Sequence, residues 1–228
     1  MLDETRRRID GHWARRFGMP VPGLAPVMVG STGLHDDAAL VLLLGDHAYV
    51  DAPADRLDAV ADAVSGRPPG AVLDPATWEG LATGPVLGPA DHFWADRSTG
   101  LCPDVALLDA ARRDELAAHV SDEEWREAGF DPPAQESFGI VEDDEVVAAS
   151  VVTTLWGWPL DVGVLVRSDA RSRGYGRRVA QAALAAAIGM SGFAAYRVER
   201  SNAASRSIAL ALGLTPHGAN LSVPLALG

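Results

Sequence analysis

Apolar residues in the last third of the chain follow two different periods, and the changes of period predict a strand, a helix, a strand and a helix. Val162, Val164 and Val166 alternate with other residues, which is typical of a strand with one buried face. The next apolar positions have helical spacing and form one stripe, which comprises Val179, Ala180, Ala183, Leu184, Ala187 and Ile188. Residues 194–198 then favour a strand, and residues 202–212 favour a second helix.

Shorter elements are predicted for the rest of the chain. Apolar residues at Ile9, Trp13 and Phe17 predict an amphipathic helix near the start of the chain. Further strands are predicted at 27–29, 40–44, 48–50, 92–94, 105–108, 137–141, 146–154 and 221–225. Further helices are predicted at 53–66, 74–81 and 111–119. Ser121 and Glu124 have the spacing of a capping box, so a short helix is expected to begin there.

A break in this pattern near residue 100 predicts two domains. Residues 98–103 are the best candidate for a linker. Residues 1–100 are predicted to form a small α/β domain of unknown role, without a recognisable catalytic constellation. An alternative is that they are a degenerate relative of the second half. Residues 103–228 are predicted to form the second domain.

Composition narrows the class of protein. The 228 residues carry a net charge of -12, which argues against a nucleic-acid partner. No apolar run approaches the roughly 20 residues that span a bilayer, and the first 18 residues lack the apolar core of a secretory signal. Cys102 is the single cysteine, so an internal disulfide and a cysteine-based metal site are excluded. The histidines show no metal-ligand spacing. We therefore expect a cytoplasmic protein without a metal.

The turn between the predicted strand and helix has the features of an anion site. Gly174 and Gly176 precede the helix, whose first backbone N–H groups lack partners and lie at the positive end of its dipole. Four arginines surround the turn: Arg171, Arg173, Arg177 and Arg178. This cluster favours a polyanionic ligand such as a pyrophosphate. The alternative is that the glycines merely end the strand and the arginines are solvated. Neither a Walker loop nor a dinucleotide fingerprint fits the spacing.

Two segments together resemble a known family. Arg171-x-x-Gly174-x-Gly176 follows a valine-rich strand, and Asn202-x-x-Ser205-x-x-Ile208-Ala209-x-x-Leu212-Gly213-Leu214 begins 26 residues after Gly176. This pair is similar to the signature motifs of the GNAT superfamily, the acyl-CoA-dependent N-acyltransferases. The resemblance covers about residues 103–228. It implies an α/β (α+β) fold with a mixed, largely antiparallel central sheet flanked by helices, here preceded by the smaller N-terminal α/β domain.

The resemblance also implies where a cofactor binds. The pyrophosphate of acetyl-CoA would lie on the backbone N–H groups of residues 173–176, namely Arg173, Gly174, Tyr175 and Gly176, with Arg171 and Arg177 as nearby charges. The pantetheine arm would pair with the backbone of Val164, Leu165 and Val166 as an added strand. Asn202 and Ser205 would face the same arm. Asn202 also suits a plain helix N-cap, and the two roles are compatible.

The acid and the base are less clearly marked. Many family members carry a tyrosine as thiolate acid at the position that is Ala209 here. Tyr196 or Tyr175 could replace it, although a tyrosine in a strand more often serves packing. Candidates for the base are Glu199, Glu124 and Asp161. Glu199 could instead pair with Arg197, which shares its face of the strand. The side chains of Trp125, Trp156 and Trp158 could wall an acceptor pocket or simply pack.

The function expected from this resemblance is transfer of an acetyl group from acetyl-CoA to an amine. The acceptor would be an amine of a small molecule or a protein, attacking directly in a ternary complex, and the enzyme could be a homodimer. A competing hypothesis is a catalytically silent acyl-CoA-binding protein with a regulatory or scaffolding role, which Ala209 motivates. A third is a mononucleotide-binding α/β domain.

Overall fold

The computed structural model of the protein describes residues 1–18, 25–33, 35–97, 100, 102–131, 133–155 and 157–226. The strands are β1 (Val27–Gly30), β2 (Ala38–Leu44), β3 (His47–Asp51), β4 (Leu87–Ala95), β5 (Ala106–Leu107), β6 (Glu136–Glu142), β7 (Glu145–Leu155), β8 (Trp158–Val166), β9 (Ala194–Glu199) and β10 (Thr215–Pro224). The α-helices are α1 (Asp3–Arg16), α2 (Leu57–Val64), α3 (Ala110–Asp114), α4 (Asp122–Glu127), α5 (Tyr175–Ser191) and α6 (Ala203–Ala211). Short 3-10 helices lie at Ala54–Arg56, Pro69–Leu73, Pro75–Trp78, Glu115–His119 and Ser168–Ala170.

The chain divides into two compact units. Unit one comprises Met1, Phe93–Arg197 and Asn202–Thr215. Unit two comprises Leu2–His92, Val198–Ser201 and Pro216–Gly228. The strand predicted at 221–225 is the later part of β10 and falls in unit two. The division into domains at 1–100 and 103–228 stays a prediction.

Unit one has the strand order β9-β8-β7-β6-β5. Its neighbours are antiparallel except β8 and β9, which are parallel. Strand β7 is buried on both faces because helices cover both sides of the sheet. On one face the core comprises Ile140, Val147, Ala148, Ala170, Tyr175 and Val179. On the other it comprises Leu108, Leu116, Phe130, Val146, Ala149, Val151 and Leu165.

Unit two is built on the strand order β1-β3-β2-β10-β4. Strand β10 pairs antiparallel with β2, with Leu221 opposite Val41. Its core includes the fully buried side chains of Val60 and Trp78. The predicted N-terminal helix is confirmed as α1, and its Ile9 is buried as expected. A mixed α/β fold with a mostly antiparallel open sheet and flanking helices is therefore confirmed.

Several boundaries differ from the predictions. The helix expected at 111–119 is divided into α3 and the 3-10 helix Glu115–His119. The helix expected at 53–66 begins as the 3-10 helix Ala54–Arg56 and becomes α-helical only at Leu57. Part of the predicted linker at 98–103 lies outside the described residues. Among the helices that are described, none is long and apolar enough to cross a membrane.

Candidate functional site

The glycine turn after β8 leaves the first amides of α5 without helical partners. Gly174 is the N-cap at φ +80°, and no side chain caps this end of the helix. The first intrahelical hydrogen bond runs from the N–H of Arg178 to the carbonyl of Gly174, at 3.3 Å. The N–H groups of Tyr175, Gly176 and Arg177 precede that bond and point out of the helix end. This end of α5 can therefore accept an anion.

The two glycines of the turn serve different purposes. A Cβ on Gly174 would meet no atom within 4 Å, so the left-handed backbone is what favours glycine there. At Gly176 the limit is space, because a Cβ would lie 3.0 Å from Cδ1 of Ile208 and 3.3 Å from Cγ2 of Val166. Gly176 thus brings the start of α5 close to β8 and α6.

Strands β8 and β9 lose their pairing before β8 reaches this turn. Among the described residues they share one register pair, Asp161 with Ala195, although β8 continues to Val166 and β9 to Glu199. On its other edge β8 pairs with β7 through all of this stretch, and the register shifts between Thr153 and Thr154. A bulge of this kind increases local twist. The backbone edge of β8 that includes Val164, Leu165 and Val166 is therefore left open towards β9.

The second predicted segment begins where β9 ends. Asn202 caps α6, and its Oδ1 accepts a hydrogen bond from the N–H of Ser205 at 3.0 Å. The N-cap prediction is confirmed. Its Nδ2 donates to Oε1 of Glu127 on α4, at 2.9 Å. Thus the glycine turn and Asn202 follow the carboxyl ends of two adjacent, diverging parallel strands.

Comparison with known proteins identifies this arrangement. Residues 105–214 match the sequence profile described as the acetyltransferase (GNAT) family. Residues 105–214 form a GNAT acetyltransferase domain. No curated protein matches the chain significantly.

Several solved structures are similar to the chain at low sequence identity. An acetyltransferase of the GNAT family from Novosphingobium aromaticivorans has 18% identity and a TM-score of 0.48, over 62% of this chain and 66% of its own. One from Colwellia psychrerythraea has 16% identity and a TM-score of 0.47, over 67% and 61%. A Drosophila protein has 12% identity and a TM-score of 0.48, over 98% and 89%. The chain covers less than two thirds of the length of the first two.

Three of the four arginines at the glycine turn have described carboxylate or carbonyl partners. Nη2 of Arg171 lies 2.6 Å from Oε1 of Glu124. Arg173 donates to the carbonyl of Asp169 at 3.3 Å. Arg178 pairs with Asp104 and its guanidinium lies 5.0 Å from the ring centroid of Tyr175. Arg177 is exposed. The positive charge of the turn is thus partly balanced by nearby carboxylates.

The predicted tyrosines lie in different environments. The phenol of Tyr175 is buried in the core of unit one and donates to Glu142, so only its backbone belongs to the turn. Tyr196 is 2% exposed and shares a hydrogen bond with Ser205. Burial raises the pKa of Tyr196 to about 12, although the hydrogen bond with Ser205 opposes that shift. Tyr196 is therefore neutral at physiological pH. Ala209, in the family's tyrosine position, is fully buried.

Each of the three candidate bases has a partner. Asp161 accepts from Arg197, with Oδ2 at 2.6 Å from Nη2 and 3.2 Å from Nε. The coulombic effect of Asp161 raises the pKa of Arg197. Glu199 accepts a long hydrogen bond of 3.5 Å from Oγ of Ser201 and falls in unit two. The described ion pair of Arg197 is therefore with Asp161, where the sequence had suggested Glu199.

The third candidate base, Glu124, has a structural role in α4. One carboxylate oxygen accepts from the N–H and Oγ of Ser121, which confirms the predicted capping box. Its other oxygen accepts from Arg171. The Ser121 N–H and then Arg171 hold the pKa of Glu124 below its usual range. A carboxylate in this condition is a weak proton acceptor.

The predicted tryptophans that the structure describes make packing contacts. Trp125 packs on Phe130, with ring centroids 4.9 Å apart, and so contributes to the core of unit one. Trp158 makes an edge contact with Phe193 at 5.0 Å, and Trp156 lies outside the described residues. Sequence reasoning missed Glu127, although its position three residues after Glu124 on a predicted helix was a usable signal. Within the described residues, no cluster of His, Cys, Asp and Glu has a metal-binding arrangement.

Proposed function

We propose that this GNAT domain is an N-acetyltransferase that moves an acetyl group from acetyl-CoA to an amine in a ternary complex. The observation that carries the proposal is the opening between β8 and β9, which share one register pair and then separate towards the glycine turn. An extended arm with amide groups can pair with the open edge of β8 as an added strand. The proposal includes a cytoplasmic location and an amine of a small molecule or protein as the acceptor.

The phosphate end of the cofactor suits the helix terminus. The free N–H groups of Tyr175, Gly176 and Arg177 offer donors, and Arg171 and Arg173 offer charge. From Val166 back to Asp161 the strand spans five steps, about 16 Å. An arm anchored at the turn therefore delivers its thioester near Asp161 and Ala195, where the two strands meet.

At that point the acceptor nitrogen attacks the thioester carbonyl carbon, the C–S bond breaks, and sulfur leaves as a thiolate. We assign Tyr196 to the thiolate as a hydrogen-bond donor. Full proton transfer from a phenol of pKa about 12 to a thiolate, whose thiol has a pKa of about 8.5, is uphill by about 5 kcal/mol. Coenzyme A therefore leaves as the thiolate and takes up its proton from bulk buffer after release, since a thiol of pKa about 8.5 is mostly neutral at pH 7. Glu199 stays our candidate from the sequence for the acceptor of the amine proton, and its described hydrogen bond, from Oγ of Ser201, is long.

The test is release of free thiol from acetyl-CoA with a panel of amines. Thiol release that depends on both the amine and the protein supports the enzyme. Arg171→Ala should weaken acetyl-CoA binding about 10-fold or more, because a charged phosphate contact is lost. Arg7→Ala, an exposed position on α1, is the control and should leave binding unchanged. Equal binding of acetyl-CoA by the two variants would show that its phosphates do not bind at the turn.

A silent acyl-CoA-binding protein is the second candidate, and a specific observation favours it. Ala209 is fully buried in the position of the family's acid, while Asp161 and Glu124 are both paired with arginines. Such a protein binds acetyl-CoA but releases no thiol with any amine. A mononucleotide-binding domain would differ from both candidates, because ATP and not CoA would raise its unfolding temperature.

A further inference from the structure

Two carboxylates of α4 hold the two groups that flank the open end of the β8–β9 cleft. Glu124 and Glu127 are three residues apart, so they lie on one face of the helix. Oε1 of Glu124 lies 2.6 Å from Nη2 of Arg171, which follows β8. Oε1 of Glu127 accepts from Nδ2 of Asn202 at 2.9 Å, and Asn202 follows β9. One short helix thus reaches both carboxyl ends of the separated strands.

The far end of α4 is fixed more firmly. A Cβ on Gly163 would lie 1.8 Å from the carbonyl oxygen of Ala128, so the backbone after α4 rests directly on β8. Trp125 and Ala128 pack against the core of unit one. These apolar and backbone contacts hold α4 on the sheet whether or not its carboxylates keep their partners.

We propose that Glu124 and Glu127 form a latch that sets the affinity of the domain for coenzyme A. This inference rests on the proposed function. The ligand brings phosphate oxygens for Arg171 and amide oxygens for Asn202, and each competes with a carboxylate already in place. In the free protein the two carboxylates occupy Arg171 and Asn202 at the open end of the β8–β9 cleft. They release these side chains when the ligand binds.

The contacts of the latch are suited to exchange. The side chains of Arg171 and Glu124 are 49% and 39% exposed, and ion pairs as exposed as this contribute little to stability. Glu124 keeps its second oxygen on Ser121, so α4 retains its cap after Arg171 is released. A cavity of about 590 Å³ is bordered by His119, Ser121, Glu124, Arg167 and Arg171. It gives a phosphate direct access to the guanidinium of Arg171.

Glu124→Gln tests the charged half of the latch. Glutamine also serves at this position of a capping box, so α4 keeps its cap while Arg171 loses its counter-ion. We expect coenzyme A to bind about 2- to 5-fold more tightly by calorimetry, the range for an exposed ion pair. Glu123→Gln is the matched control, since it removes one exposed negative charge from the same helix. Its binding should equal that of the unmodified chain.

The two halves of the latch are separated with pantetheine, which has no phosphates. Glu127→Ala should strengthen binding of pantetheine and coenzyme A alike, whereas Glu124→Gln should strengthen only coenzyme A. Weaker or unchanged binding in Glu124→Gln relative to Glu123→Gln would overturn the latch. Lost turnover without tighter binding would make Glu124 a catalytic base instead. If neither the unmodified chain nor any variant binds coenzyme A at millimolar concentration, the proposed function itself fails.

Discussion

Asp161 and Arg197 form an ion pair at the point where β8 and β9 are in register, with Nη2 of the arginine 2.6 Å from Oδ2 of the aspartate. The Asp161 side chain is 13% exposed and that of Arg197 is 36% exposed. The pair therefore joins the two parallel strands just before they separate. It lies where the proposed thioester arrives, so it couples the geometry of the cleft to its chemistry.

Breaking this ion pair should mainly lower the free energy of unfolding, with a smaller effect on the pH dependence of turnover. Arg197→Met leaves a mostly buried carboxylate without its partner, and we expect a loss of about 1–3 kcal/mol in the free energy of unfolding. Urea unfolding measures it. Asp161→Asn should cost less, because an amide needs no counter-charge. Retained turnover with an unshifted pH profile in Asp161→Asn would identify the pair as structural, and abolished turnover would make Asp161 the base.

Tyr196 should be the last phenol to ionise, and its ionisation should destabilise the fold. Its pKa is raised to about 12 in the folded chain from 10.0, so its stabilising effect is complete below pH 10 and is lost as the pH rises through 12. Absorbance at alkaline pH should show one late phenol that is missing in Tyr196→Phe. A late phenol that persists in this variant would assign the shift to Tyr49, whose pKa burial also raises.

Gly163→Ala should destabilise the chain strongly. The new Cβ would lie 1.8 Å from the carbonyl oxygen of Ala128, so α4 or β8 has to move. We expect a loss of about 3 kcal/mol or more in urea unfolding. Gly189→Ala in α5 is the control, because no atom lies within 4 Å of its Cβ position and it should gain about 0.5–1 kcal/mol. Comparable stability of the two variants would contradict the packing of α4 on β8.

Restoring the family's tyrosine in its usual position should fail. Ala209 is fully buried, and Tyr in its place overfills the site by a ring and a hydroxyl. Ala209→Tyr should lose about 1–3 kcal/mol in stability without a gain in turnover. Ala211→Tyr, on the exposed side of the same helix, is the control and should unfold almost as the unmodified chain does. A faster Ala209→Tyr enzyme would show that the position still serves the thiolate.

Many elements of the fold were predictable because their signals are local. Alternating valines in β8, the apolar stripe of α5, the capping box at Ser121 and the N-cap at Asn202 all lie within a few residues of the structure they specify. The sequence also supplied both family motifs. It left open what spatial neighbours decide, as for Trp125, whose packing on Phe130 was one of two alternatives.

The sequence by itself determined the order of strands and helices and the glycine turn, since hydrophobic period, caps and glycine act through the adjacent backbone. Only the tertiary structure decided which polar side chains meet. Arg197 pairs with Asp161, Arg171 with Glu124 and Asn202 with Glu127, across separations of 36, 47 and 75 residues. Ion pairs and hydrogen bonds depend on distances of a few ångströms between side chains, and those distances are fixed by packing between elements that no local pattern encodes.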